Sequence, residues 1–288
     1  MPHKIFVADI SMNKKRFHPF AFLLLLWTLF LLSAPCPLAA DESAPVPANK
    51  ATIEVLSDLD RHYNLSFLWF DHLASGQLSF SPDPSAPNRY RALLDAKTLG
   101  VAAWLTGDRM QRYETLMEMT PQGRLQTLEY KSMIYKNKGG KVEQSKHYTF
   151  NAKTRTIMMT RSKAGIQGKE QPIKVFSERF PVDFLTAGFN FILGVDGPIR
   201  AGERKEIVTF DDKGERTIVI EVLRADAWPK TTFFPAGSGT LLKIILPPDI
   251  LDTSDGAVYA LLDEKFLPSR VIVKNVLGLG DVRCELRP

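Results

Sequence analysis

Apolar and polar residues alternate along most of the chain. Residues 109–120 show the pattern clearly, with Tyr113, Thr115 and Met117 on one face and charged residues on the other. A period of two residues is typical of a strand with one buried face. The pattern predicts strands over residues 63–70, 77–80, 90–98, 109–120, 125–135, 142–150, 154–161, 206–210, 216–223, 241–246, 258–262, 269–276 and 279–286.

Short polar segments divide these strands into hairpins. Residues 211–214 and 263–265 contain Asp or Gly, which supply the local hydrogen bonds and positive φ angles that tight turns need. We interpret Ser75-Gly76 as a further turn, and Gly139-Gly140 as another. Consecutive hairpins favour an antiparallel meander that curls into a barrel or half-barrel, because closure protects strand edges.

One segment departs from the strand pattern. Residues 181–194 lack two-residue alternation, Pro181 suits a first helical turn, and Gly194 suits a helix stop. We therefore predict an all-β, mainly antiparallel fold with one helix near 181–194.

The N-terminal segment resembles a secretory signal peptide. A basic cluster after Met12 precedes an apolar run at residues 20–32 and a small-residue cleavage site ending at Ala40. We predict a leader over residues 1–40, with Met12 as the expected start and export to the periplasm. The alternatives are a lipoprotein processed at Cys36 and an uncleaved anchor, although the apolar run is shorter than the ~20 residues that span a bilayer.

The remaining chain divides into a polar spacer and one folded domain. We expect a flexible spacer at residues 41–51, a single β-rich domain at residues 52–288, and no transmembrane span after cleavage. The oligomeric state is left open.

Loss of the leader changes the charge and the cysteine content. The chain has 37 Lys and Arg against 32 Asp and Glu, and residues 1–40 contain four of the basic residues and one of the acidic ones. The remaining 33 against 31 gives no electrostatic reason to expect a nucleic-acid partner. Cys284 is then the one cysteine left, and alternation predicts that it points inward with Val282 and Leu286.

Catalytic and metal-binding motifs are absent from the sequence, so we expect no cofactor and no metal. His62, His72 and His147 lack the spacing of a metal site. Acidic residues near turns and a helix start are the candidates for a hydrolase, although capping and solvation explain them more simply: Asp183, Asp196 and Asp263.

Methionines cluster in the middle of the chain. Methionine adapts to varied apolar partners, and we interpret four of these residues as a candidate cavity lining: Met110, Met117, Met119 and Met133. Ordinary core packing is the alternative.

Four features make the chain resemble an exported bacterial family, domain of unknown function 3108. They are an aromatic strand at residues 63–67, the Ser75-Gly76 pair, a helix start at residues 183–187, and a late hairpin carrying Asp263, Leu267, Pro268 and Val271. The resemblance covers residue 61 to the C-terminus. It implies a β-rich envelope domain and supplies no catalytic residues.

Three functional hypotheses follow. The leading one is a non-enzymatic periplasmic protein that binds a lipid or another apolar or amphipathic envelope molecule. A structural or assembly partner in envelope biogenesis is the second, and a hydrolase with a carboxylate site is the third. A large apolar cavity would favour the lipid-binding protein. A filled interior would favour the assembly partner, and a polar cleft lined by acids would favour the hydrolase.

Overall fold

The computed structural model describes residues 51–67, 70–100, 102–103, 107–136, 140–235, 237–247, 257–276 and 280–288. The predicted leader lies outside these ranges, and so does the predicted spacer apart from Ala51. Gly139 and Leu279 also lie outside them. Across the described ranges, no helix has both the length and the apolar character needed to cross a bilayer.

Fifteen strands in these ranges form one sheet. The strands longer than three residues match the predicted ones, apart from the first hairpin. The short strands β8 and β9 are not among the predicted strands. The bounds are β1 Leu59–Phe67, β2 Phe70–Pro82, β3 Arg89–Thr98, β4 Met110–Met119, β5 Leu125–Lys136, β6 Lys141–Asn151, β7 Thr156–Lys163, β8 Ile166–Gln167, β9 Gln171–Ile173, β10 Arg204–Asp211, β11 Gly214–Val222, β12 Thr240–Ile245, β13 Ala257–Leu262, β14 Pro268–Val276 and β15 Gly280–Leu286.

The sheet is a meander whose two halves meet at the chain's first and last strands. Strands adjacent in sequence pair from β1 to β8 and from β10 to β15, except that β9 pairs with β7. The halves join because β15 pairs with β1, which places Cys284 opposite Leu65. All these pairings are antiparallel, so the predicted antiparallel meander is confirmed. Because β10 does not pair with β7 or β8, the sheet is the half-barrel of the two predicted forms and not the closed barrel.

Side-chain ion pairs connect the two edges, and a backbone hydrogen bond ties β10 to the segment that precedes the helix. Asp212, in the β10–β11 turn, accepts from Lys146 at 3.0 Å and from Arg161 at 2.5 Å, and these donors lie on β6 and β7. The backbone N–H of Val182 donates to the carbonyl of Val208 on β10 at 3.2 Å. The edge at β10 is therefore held opposite β6 and β7 without a strand ladder.

Helix α2, Phe184–Ile192, lies against the inner face of the curved sheet. Phe184 makes edge contacts with the rings of Tyr113 and Tyr130, at centroid distances of 5.2 Å and 6.0 Å. Most of its residues are buried, which explains why its apolar positions lack a strand period. The predicted helix is confirmed.

Asp183 caps α2 and ties it to the sheet. Its carboxylate accepts from the backbone N–H groups of Leu185 and Thr186, and from the hydroxyls of Thr115 at 2.9 Å and Thr127 at 2.6 Å. The side chain is 1% exposed. Burial raises the pKa of Asp183, and hydrogen bonds from the threonines oppose that rise. The capping role and the threonine hydrogen bonds explain why an acidic residue is buried at this position.

Asn190 fixes the other end of the helix. Its side-chain amide accepts from the N–H of Leu125 and donates to the carbonyl of the same residue, both at 2.8 Å. Next to it, the carbonyl of Ile192 accepts from the N–H of Ala51. The helix therefore has a single register against the start of β5.

The expected turn at Ser75-Gly76 is wrong, because both residues lie inside β2. The connection runs between Phe67 and Phe70 instead. A Cβ added to Gly76 would meet the side chain of Leu65 at 3.1 Å. Glycine here allows a close approach on the inner face of the sheet, which is a common role for glycine within strands.

A short helix, α1 at Ile53–Ser57, precedes β1 in a stretch where the sequence predicts no helix. Thr52 caps it, and Leu56 is fully buried against the core. Five residues are too few for a helical period to be recognised, so tertiary packing determines this element.

Asp183→Ala should lower the free energy of unfolding by about 2–4 kcal/mol, which combines a lost helix cap with buried hydroxyls left without an acceptor. Urea unfolding followed by circular dichroism measures this loss. Thr52→Ala removes an exposed cap alone and should cost about 0.5 kcal/mol. Equal losses in the two variants would contradict a special anchoring role for Asp183.

The raised pKa of Asp183 also has a consequence for pH dependence. A raised folded-state pKa gives stability that is complete below the ordinary pKa of the group and is lost as pH rises through the folded value. The stability advantage of the wild type over Asp183→Asn should therefore shrink as pH rises. Urea unfolding of both proteins between about pH 4 and pH 8 tests this, and an advantage that grows with pH would refute it.

Candidate functional site

The two ends of the half-barrel differ in how densely they are packed. At the end where α1 enters β1, here called the helix end, five inward side chains are no more than 1% exposed: Leu56, Phe80, Met117, Leu125 and Ile157. The opposite end, here called the far end, is where β1–β2, β3–β4, β5–β6 and β10–β11 connect. The interior becomes less densely packed toward the far end.

An apolar cavity of about 370 Å³ occupies the interior between α2 and one half of the sheet. Its wall comes from β1–β4, β11–β15 and α2. Several wall residues face inward yet are half-buried, because they border a void instead of a neighbour: Leu65, Leu78, Leu94, Ile244, Val271, Val273 and Val282. This volume lies in the range typical of small-molecule sites.

Small residues at inward positions explain why the cavity stays unfilled. Gly76, Ala96 and Ala260 lie in its sheet wall, and Gly188 lies on the helix that faces them. A Cβ added to Gly188 would meet no atom within 4 Å. A larger side chain at any of these positions would reduce the void, since protein interiors are otherwise close-packed.

Cys284 lies in the wall of the cavity beside Val282, which confirms its predicted inward orientation. Burial raises the pKa of its thiol to about 12. The group is therefore a neutral thiol at physiological pH and contributes an apolar surface to the wall.

A polar cleft of about 340 Å³ lies at the far end, bounded by β4, β5, β6 and the end of β10. Its polar lining includes Arg109, Glu143, Lys146, Tyr148 and Asp212. It is thus chemically distinct from the neighbouring cavity.

The carboxylates of the cleft are neutralised by ion pairs. Asp212 is bound by Lys146 and Arg161, and Asp211 by Arg216 at 2.7 Å. Burial by itself would raise the pKa of Asp212, but hydrogen bonding and charge from Lys146, together with the charge of Arg161, outweigh it and leave that pKa lowered. These acids are therefore ionised partners of structural ion pairs.

The cavity and the cleft adjoin each other. Three residues line both spaces: Gln111, Tyr113 and Phe184. The Tyr113 hydroxyl accepts from the side-chain amide of Gln111 at 2.5 Å, which positions the polar atoms of this boundary. The interior therefore offers one compartment with an apolar part and a polar part.

The four methionines considered as a cavity lining lie elsewhere. Met117 is fully buried in the packed core, and Met119 packs partly buried against that core. Strand alternation places Met110 and Met133 on the opposite, outer face of the sheet. The residues that line the apolar cavity do not include any of the four.

The structure does not bring the three candidate acids into a common site. Asp183 caps α2, while Asp196 pairs with Arg124 and with Arg179. Asp263 accepts from backbone N–H groups of its own turn and pairs with Arg61 at 2.5 Å. Within the described ranges, no group of three or more His, Cys, Asp or Glu residues is arranged to hold a metal ion.

Sequence reasoning missed the residues that shape the compartment. A usable signal was available in the small residues at inward strand positions, because Gly or Ala at such a position leaves volume unfilled. The boundary between the cavity and the cleft gives no such signal, since Tyr113 and Phe184 are far apart in the chain and have the pattern of ordinary core aromatics.

The chain is similar to the crystal structure of a beta-barrel-like protein of domain of unknown function DUF1849 from Brucella abortus, at 11% identity and a TM-score of 0.43, with 81% of this chain and 96% of that chain covered. No family model and no curated protein matches the sequence.

Proposed function

We propose that this protein is a non-enzymatic binding protein of the bacterial periplasm that holds a lipid or another amphipathic envelope molecule inside its half-barrel. The observation that carries the proposal is the apolar cavity of about 370 Å³ behind α2. The predicted export signal supports the location, and the four sequence features above support membership of the family domain of unknown function 3108.

Three of those family features coincide with observed elements. The aromatic strand at residues 63–67 lies within β1. The helix start at residues 183–187 coincides with the cap and first turn of α2, and the late hairpin coincides with β13 and β14. The Ser75-Gly76 pair lies within β2 and does not serve as a turn.

The cavity is suited to a hydrocarbon chain. Moving ten methylenes from water into such a wall gains about 8 kcal/mol, at about 0.8 kcal/mol for each methylene. Association costs at least about 4 kcal/mol in lost translational and rotational freedom. A tail alone would therefore bind weakly, and contacts to a polar head would be needed for tighter binding.

The chemistry of the interior favours binding over catalysis. The cleft carboxylates are engaged in ion pairs, Asp183 is engaged as a cap, and the Cys284 thiol is neutral. Catalysis needs convergent reactive groups with tuned pKa values. These residues instead stabilise the protein around the cavity and the cleft.

A role as an assembly partner is the second candidate. Ile166 on the edge strand β8 and Phe176 nearby are 77% and 79% exposed. A sheet edge with apolar neighbours can accept a strand from another chain. Single exposed apolar side chains are common on protein surfaces, so the cavity is the stronger evidence.

Gly188→Leu tests lipid binding without damaging the fold. The new side chain would enter the cavity from α2, where nothing lies within 4 Å of an added Cβ. Replacing a helical glycine should raise stability by up to about 1 kcal/mol, while the occupied volume should reduce bound lipid at least about tenfold. Native mass spectrometry after gentle isolation measures occupancy, and thermal unfolding measures stability.

Gly188→Ala is the matched control, since it gains the same helix stabilisation and fills little of the cavity. It should retain bound lipid. A clean unliganded mass for the wild type, with no stabilisation by added envelope lipids, would overturn the proposed function.

The raised pKa of the Cys284 thiol gives a separate test of the cavity wall. A thiol pKa of about 12 implies that Cys284 in the folded protein reacts with iodoacetamide about a thousandfold more slowly than in urea, because the thiolate is the reactive form. Peptide mapping by mass spectrometry quantifies the modification at this residue. Equal rates in the folded and unfolded protein would show that the wall is open to solvent.

A further inference from the structure

We propose that the polar cleft is the headgroup subsite for an anionic amphiphile whose hydrocarbon chain occupies the adjoining apolar cavity. This inference rests on the proposed function and specifies the chemical class of the ligand. The geometric basis is the shared boundary of the two spaces at Gln111, Tyr113 and Phe184. A chain in the cavity would place its head beside that boundary, in the cleft.

The charge balance of the cleft favours a negative head. Lining carboxylates Glu143, Asp211 and Asp212 are paired with Lys136, Lys146, Arg161 and Arg216. Arg109 and Lys146 line the cleft, whereas Lys136, Arg161 and Arg216 reach its carboxylates from outside the lining. Together these five cations stand against three carboxylates, an excess of two. Asp183 is left out of this balance because it is enclosed by threonine hydroxyls and helix N–H groups.

Arg109 is the cation that a ligand can engage. Its backbone is fixed, because both the N–H and the hydroxyl of Thr98 donate to its carbonyl at 3.0 Å. Its guanidinium has no ion pair with any residue in the described part of the chain, whereas Lys146 is already bound to Asp212. Arg109 is a half-buried residue, and a guanidinium is well suited to a carboxylate or a phosphate, since its planar fork can donate two parallel hydrogen bonds.

Two tyrosines provide further donors. The rings of Tyr130 and Tyr148 lie 5.6 Å apart and line the cleft, and neither hydroxyl has a hydrogen-bond partner among the described residues. Burial raises the pKa of both groups above the ordinary value, so both remain neutral hydroxyl donors. A guanidinium and two hydroxyl donors form a set that complements the oxygens of an anion.

Three single-chain probes of equal length test the inference: myristate, myristoyl-lysophosphatidylglycerol and monomyristoylglycerol. The first carries a carboxylate, the second a phosphate, and the third an uncharged head. Isothermal titration of the wild type should give at least about tenfold tighter binding for one or both anionic probes than for the uncharged probe. The stronger of the two anionic probes identifies the source of the charge.

Arg109→Gln should remove most of the anionic advantage, by about tenfold, and leave the affinity for monomyristoylglycerol unchanged. Arg109→Lys should restore part of it, because a point charge replaces the planar fork. The matched control is Arg283→Gln, which removes an exposed arginine from the outer face of β15 and should change neither affinity.

A measurement on the wild type keeps the test valid if an Arg109 variant does not fold. Rising salt should weaken binding of the anionic probe and leave the uncharged probe unaffected, because salt screens the charge pair. Equal affinity for all three probes, independent of salt, would overturn the headgroup assignment while the cavity proposal stands. No binding of any probe would overturn both.

Discussion

The interior of this protein depends on how one buried helix is anchored to an unclosed sheet. Asp183 at the start of α2 and Asn190 near its end bind β4 and β5 through buried hydrogen bonds. Buried polar groups need such partners, because an unpaired one costs a large part of the fold's stability. These bonds allow one position for the helix, and that position determines which part of the interior is filled.

The position of α2 also determines where the apolar cavity lies. Aromatic side chains of α2 pack against Phe80, Tyr113 and Tyr130, so the space between the helix and β4–β5 is occupied. On the other side, Gly188 faces a wall that contains Gly76 and Ala260, and no atom of the described residues lies within 4 Å of a Cβ added to Gly188. A polar cleft lies beside this void because the ion pairs that connect the sheet edges gather charged residues at the far end. Lys146 and Asp212 thus both connect the two edges of the sheet and line the polar cleft.

Much of the fold could be predicted from local patterns. Alternation located most of the strands, the Asp-containing turns located the β10–β11 and β13–β14 hairpins, and the loss of alternation near Pro181 located α2. The predictions that the structure does not bear out concern residues whose role depends on contacts with residues distant in the sequence. Gly76 reads as a turn because glycine favours turns, but its function is to admit the side chain of Leu65. The methionines read as a flexible lining, yet strand alternation divides them between two faces of the sheet.

The sequence by itself determined the class of the fold, the helix and the inward direction of Cys284, because each depends on residues close together in the chain. Tertiary structure alone decided the pairing of β15 with β1, the void behind α2, and the contact of that void with a charged cleft. These features arise between residues far apart in sequence, such as Gln111 and Phe184. Cavity volume is what remains after all neighbours are placed, so no local pattern encodes it.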